Sequence, residues 1–348
     1  MINRRHLGAL ALGAGLAPQF AAAQPARPAA PATMAPEAAA GTRMRRTMDA
    51  DVAFPAAGRR EWAAQVPQIR IGLLGGENEA DRMGRFGAYQ ALLQETFQLP
   101  VRLFAASDYA GVLQAFSAGQ IEFASMGPSV YAGTWIDTNG GVEPLMVAEE
   151  RDGSISYIAV MVVRADSGIT NLEQMRGKSL AWADANSTSG YLVPRFALRR
   201  ANIGVESGQY FSRTGFAGGH EQGIVAVLQR QFDAAMTWTS GQGDVNEGHS
   251  RGNLRAMVDK GMLNMREMRI IWQSDPIING PITMRTNLPR AFRDDIVNFH
   301  LALPKAHPAI YQQIERGGGT GYREVTHAQF QFLVDMRREE AAERRRRS

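Results

Sequence analysis

From Gln68 onward the chain alternates between two kinds of segment, and this alternation narrows the possible folds more than any other feature. Short apolar runs that read as strands are separated by stretches whose apolar residues recur at helical spacing. Ile69, Ile71 and Leu73 open a strand that Gly75-Gly76 ends, and Met83, Phe86, Tyr89, Leu92, Leu93 and Phe97 then mark a helix. "VRLFAA", "IEFASM" and "EPLMVAEE" read as further strands, with a short helix ending at Gly119 and another starting near Pro128 between them. Strand, helix, strand with short joints predicts an α/β class with parallel sheets.

A long apolar strand, Tyr157 to Val163, precedes a fresh α/β series that runs to about Lys260. "RIIWQSDPIINGPITM" is a second long extended segment, and mostly helical patterns follow it. With 348 residues, the chain is long enough for two domains. The expected architecture is therefore two α/β lobes joined by two crossover strands, with the tail helices returning to the first lobe. Residues 67–163 form the first part of lobe 1, 164–270 form lobe 2, and 271–335 form the second crossover and the return. A cleft between two such lobes is the default binding site.

The ends read differently. Arg4 and Arg5, an apolar stretch from Leu7 to Leu16, and Ala21-Ala22-Ala23 have the three-part layout of a secretory signal, residues 1–23, cleaved near Ala23. The apolar stretch is too short for a bilayer span, which needs roughly 20 residues. The paired arginines resemble a twin-arginine signal, although His6 departs from it, and an ordinary secretory signal stays equally open. Residues 24–66, rich in Ala, Pro and Arg, read as a flexible leader or a wrap around the surface. The absence of cysteine excludes disulfides and thiolate metal sites. The formal charge of +4 owes two arginines to the leader and three net charges to "RREEAAERRRRS". That 336–348 segment reads as a solvated helical tail; with no aromatic residues interleaved in it, it does not suit a nucleic-acid arm.

Enzyme chemistry finds little support. There is no G-x-S-x-G elbow, H-E-x-x-H or Walker loop, and the six histidines lie on separate elements without metal spacing. Glu149 and Glu150 are adjacent, so they project differently and make no hydrolytic pair. No catalytic residue, metal or cofactor is expected. The chemistry lies instead in "DANSTSGYLVP", where Ser187, Thr188 and Ser189 stand between a strand and a helix start. That layout presents backbone N–H groups and a dipole end to an anion. Capping accounts for only one of the three hydroxyls, and local physics leaves capping and anion binding level. Pro194 implies a kink or a first helical turn displaced beyond it. Two other junctions should face the same cleft: "GGENEA", and "ASDYAG", where Ser107 or Asp108 caps and Tyr109 enters the first turn.

"DYAGVLQAFSAGQIEFASMGPSVYA", "ADANSTSGYLVP", "GGHEQGIVAVLQRQFDAAMTW" and "IIWQSDPIINGPITM" occur in an order and spacing that resemble phosphonate-binding proteins of ABC importers, over residues 68–335. The resemblance implies a type II periplasmic-binding-protein fold that captures a tetrahedral oxyanion by lobe closure in the periplasm, acting as a monomer that delivers ligand to an ABC permease. A ligand-sensing subunit on the same fold is the alternative, and an enzyme acting on phosphorus oxyanions stands far behind. Carried over, the ligand residues are Tyr109, Tyr157, Ser187, Thr188, Ser189 and His220. The sequence departs from the pattern where aminoalkylphosphonate binders carry carboxylates, at positions occupied here by Ser240 and Gly280. The expected ligand is accordingly methylphosphonate, phosphite or phosphate, and not aminoethylphosphonate, because a buried unpaired ammonium is costly. Trp238 is expected to close the pocket with apolar surface or to stack on a cationic tail. Asp275, before Pro276, is offset from either missing carboxylate.

Overall fold

The computed structural model describes residues 52–316 and 319–347; the expected leader, residues 1–23, and residues 24–51 lie outside them. The first sheet begins with β1 (Ile69–Leu73), α1 (Glu79–Phe97), β2 (Val101–Ala105), α2 (Tyr109–Ser117), β3 (Phe123–Ser125), α3 (Pro128–Asp137) and β4 (Val142–Glu150). Capping follows the sequence: Asn78 accepts the Asp81 N–H ahead of α1, and Asp108, rather than Ser107, accepts the Gly111 N–H ahead of α2. Helix α1 ends at Gln98 in the left-handed conformation.

The second sheet comprises β5 (Ser156–Arg164), β6 (Ser179–Trp182), α4 (Val193–Arg200), β7 (Arg213–Phe216), α5 (His220–Leu228), β8 (Ala234–Thr239), α6 (Asn253–Asp259), β9 (Met268–Gln273) and β10 (Ile277–Ile278). The chain then returns through β11 (Pro281–Arg285), α7 (Arg290–Ala306), α8 (Pro308–Ile314), β12 (Gly319–Glu324) and α9 (Gln331–Arg347). Strand order is β12-β4-β11-β3-β1-β2 in one sheet and β10-β5-β8-β6-β7 in the other, where β9 also pairs with β5. Both sheets belong to one compact unit.

Several expectations need correcting. Neither sheet is purely parallel: β1 runs parallel to β2 and β3, but β11 is antiparallel to β3 and β4, and β5 is antiparallel to β8 and β9. Strands that enter a sheet from the other lobe arrive in the reverse direction. The 157–163 run, expected in lobe 1, is an interior strand of the second sheet. Its apolar side chains are buried on both faces between β8 on one side and β9 on the other, which a passing crossover could not provide. The chain instead crosses in two short passages, residues 151–155 and 279–280.

Residues 52–66 are no flexible leader. Trp62 is buried and donates to Asp295 at 2.7 Å, and the Phe54 ring lies 5.1 Å from that of Phe299. The charged tail is helical but not solvated along its inner face, because Glu340 is buried and Glu343 accepts from Arg195 at 2.8 Å.

The first lobe's core centres on Phe299, fully buried, with the rings of Phe54, Phe97 and Tyr89 within 6.0 Å. Phe299→Ala should therefore lower the unfolding free energy by about 3–5 kcal/mol in urea titrations. A loss below about 1 kcal/mol would show that this aromatic cluster is not what holds the lobe.

Candidate functional site

The two lobes enclose a cavity of about 250 Å³. The first lobe contributes the Gly75–Glu77 loop, Tyr109 and residues 125–128, and the second contributes Tyr157, residues 187–189, His220 and Trp238. The hydroxyl triplet sits on a turn that the sequence builds in an unusual way. Ser187 accepts the Gly190 N–H at 3.0 Å and so caps a π-helical turn, Thr188–Leu192; α4 proper starts only at Val193, with Pro194 in its first turn. Of the kink or displaced first turn expected at Pro194, the second is found: a wide turn precedes α4, and Pro194 lies in the helix's first turn, where its missing N–H costs nothing. Gly190 is required by close approach: a Cβ there would lie 2.3 Å from that of Ala183 and 2.9 Å from the His220 ring.

Capping consumes one hydroxyl. The Ser187 Oγ also lies 3.1 Å from His220 Nε2. The Thr188 Oγ1 reaches across the cleft and accepts the Ser129 N–H at 2.8 Å, in the first turn of α3. The Tyr109 hydroxyl lies within reach of Ser187, and that of Tyr157 within reach of Ser189 and Thr188. The six residues carried over from the resemblance therefore converge on one cavity, all of them buried.

These groups are uncharged at neutral pH. Burial raises both tyrosines: Tyr109 well above its ordinary value, and Tyr157 to about 12 against the opposing pull of Ser189 and Thr188. Burial also lowers His220 to about 4. Its Nδ1 has no partner of hydrogen-bonding geometry, and the neighbouring Met236 backbone only partly offsets the loss of water. A ring of buried, neutral polar groups around one cavity is chemically suited to an oxyanion.

The charged wall is what sequence reasoning missed. Glu77 is bound by Arg85 at 3.0 Å and by Arg316; burial alone would raise its carboxyl, but the two guanidiniums hold it at about 2. Arg82 donates to the Ala106 carbonyl at 2.8 Å, and its buried Nε has no partner. Arg251 pairs with Glu150, approaches Glu315 at 3.7 Å and lies 5.6 Å from the Trp238 ring centre. Glu77 stood in the flagged "GGENEA" junction, but Arg251, Glu315 and Arg316 come from loops that carry no local signal.

The expected pocket-lining residues divide. Trp238 lines the cavity with its ring edge-on to Tyr157, 5.4 Å between centres. Gly280 lines it with backbone only, because a Cβ would meet the Met126 carbonyl at 2.2 Å. Ser240 is not part of the lining; its hydroxyl is engaged with that of Ser250 at 2.8 Å.

A family model described as ABC transporter, phosphonate, periplasmic substrate-binding protein matches residues 71–330. The chain is 29% identical over 279 residues to the phosphonates-binding periplasmic protein of Escherichia coli K12, spanning 78% of this chain and 76% of that one. It is 28% identical over 217 residues to a phosphate-import protein of Mycolicibacterium smegmatis, spanning 60% of this chain and 63% of that one. A Prochlorococcus marinus protein solved in complex with methylphosphonate matches with a TM-score of 0.66 at 15% identity, over 79% of this chain and 98% of its own. That likeness establishes the type II periplasmic-binding fold.

The buried imidazole makes stability depend on pH. Between about pH 6.5 and 4 the unfolded chain protonates His220 while the folded chain does not, so stability falls as pH drops through that window. His220 contributes on the order of 3 kcal/mol to this loss, and the similarly lowered His300 adds to it. Urea midpoints at pH 7.5 and 4.5 should therefore differ less in His220→Gln than in wild type. Equal differences would mean that the folded protein protonates the ring without cost.

Proposed function

From the premise that the chain belongs to the family of periplasmic phosphonate-binding proteins of ABC transporters, we propose that its cleft captures a small phosphorus oxyanion by lobe closure and presents it to the membrane permease as a monomer. The observation that carries this reading is the convergence of Tyr109, Tyr157, Ser187, Thr188, Ser189 and His220, all buried and neutral, from both sides of one cavity. Each can donate to an oxygen of the tetrahedral head, and a desolvated donor discriminates more strongly than one in water. No bond is made or broken; the work is binding.

Contacts across the mouth support closure. Gly219 approaches the Gly76 carbonyl so nearly that a Cβ would stand 2.7 Å from it. Lys260, in the second lobe, pairs with Asp81 of the first at 2.9 Å. A ligand touching both lobes binds the closed state better than the open one, and that difference drives the change.

The tail of the ligand is neutral or small. Two carboxylates do enter the cavity, but Glu77 is taken by Arg85 and Arg316, and Glu315 shares Arg251 with Glu150. Four arginines against two glutamates line the space, which disfavours an ammonium group. Ligands of the methylphosphonate, phosphite or phosphate kind fit this wall; related proteins are a phosphate importer and a methylphosphonate complex.

Titration calorimetry of the mature protein should show methylphosphonate or phosphate binding more tightly than aminoethylphosphonate, and selective binding of the latter would overturn the tail assignment. Ser187→Ala should weaken head-group binding about 10- to 100-fold, the usual worth of one hydrogen bond to a charged group. Unchanged affinity would remove the triplet from the site.

A further inference from the structure

The tail arginines have a use that the cavity does not reveal. Helix α9 is seated on the first lobe: Phe330, just before it, and Leu333 and Val334 within it are buried in one cluster with Val130 and Tyr131 of α3. That cluster also takes in Leu192, from the wide turn that carries the hydroxyls. One turn beyond Leu333, the nearly buried guanidinium of Arg337 reaches both lobes at once. Its Nε donates to the Ser129 carbonyl at 3.3 Å, one NH group donates to Ala185 O at 3.3 Å, and the other to Asn186 O and Oδ1, both at 3.1 Å. Glu340 balances the charge at 3.3 Å. Farther along, Glu343 binds Arg195 at 2.8 Å and also pairs with Arg199, both on α4.

Asn186 immediately precedes Ser187, and Ser129 is held from both ends: its N–H by Thr188, its carbonyl by Arg337. We infer that Arg337 is a positioning residue for the anion grip, setting the backbone from which Ser187, Thr188 and Ser189 project and tying that loop to the first lobe. This rests on the reading that the loop holds the oxyanion head. The reason for an arginine is geometric. A planar fork with five donors can serve three carbonyls and an amide oxygen lying in different directions, whereas an ammonium is a point charge with three. Burying a guanidinium is costly unless its hydrogens are used, and here most of them are used on the loop and on α3.

The test uses the full mature chain and variants Arg337→Lys, Arg337→Gln and Glu343→Gln. Arg337→Lys keeps charge and stem but loses the fork, and should weaken methylphosphonate binding by about 10-fold. In a Ser187→Ala background the same change should cost less than about 2-fold, because both act through one loop. Without any ligand, amide hydrogen exchange over residues 183–192 should quicken in Arg337→Lys and Arg337→Gln while α9 keeps its protection. Glu343→Gln, which removes the α4 contact alone, should lower the melting temperature and leave both readouts unmoved.

Additive losses in the double variant, unchanged exchange over 183–192, or the same affinity loss in Glu343→Gln would overturn the inference. If wild type binds none of methylphosphonate, phosphite or phosphate, the function proposed above falls, and the exchange experiment still decides whether Arg337 positions the loop. Arg337→Lys is the variant that reports should Arg337→Gln fail to fold.

Discussion

A helix with no cap of its own sets the register between the lobes. Helix α3 begins at Gly127-Pro128: the glycine offers no capping side chain and the proline has no N–H, so the first donor in need of a partner is the amide of Ser129. Buried there, it would cost about 1–3 kcal/mol if left unmade. The partner comes from the other lobe, the Thr188 hydroxyl at 2.8 Å. A contact of that length leaves little freedom in how the second lobe's loop meets the first. A capping requirement thus becomes an interlobe constraint, and Ser187 and Ser189 are carried into place with Thr188.

A second constraint acts where the chain passes between the lobes. Glu150, fully buried at the end of β4, receives Arg251 from the second lobe and the side-chain amide of Asn279 from the return passage at 3.2 Å. The same amide donates to the Ala148 carbonyl at 2.9 Å. Such a buried pair is weak evidence for stability, because desolvating both charges offsets much of their attraction. It does demand a partner, however, so any arrangement of the lobes that separated Arg251 from Glu150 would leave a charge stranded. Both passages therefore converge on one carboxylate.

The cavity divides its electrostatic work accordingly. Groups that would meet an oxyanion head are neutral and held so by burial, while Glu77, Arg85, Arg316, Arg251 and Glu315 stand in ion pairs and Arg82 is held by main-chain carbonyls. Neutral donors can be desolvated together at tolerable cost; a row of unpaired cations could not. Arg337 extends the same principle behind the loop, where its charge is satisfied by carbonyls and Glu340 and stays out of the lining.

How much of this was legible in the residues alone follows from the range of each interaction. Periodicity and capping are local, and the sequence determined the α/β alternation, the ends of α2, an irregular helix start at Pro194 and the surplus hydroxyls at 187–189. Tertiary structure decided the rest. Whether Tyr157–Val163 is a crossover or an interior strand depends on which strands flank it, and nothing inside the run can say. Thr188 and Ser129 lie 59 positions apart, Glu150 and Arg251 101, and Arg337 and Asn186 151. The sequence by itself determined where polar groups would need partners. Only the packing of the two sheets and α9 decided which distant residue answered each need, because a buried donor specifies that it must be satisfied and not from where.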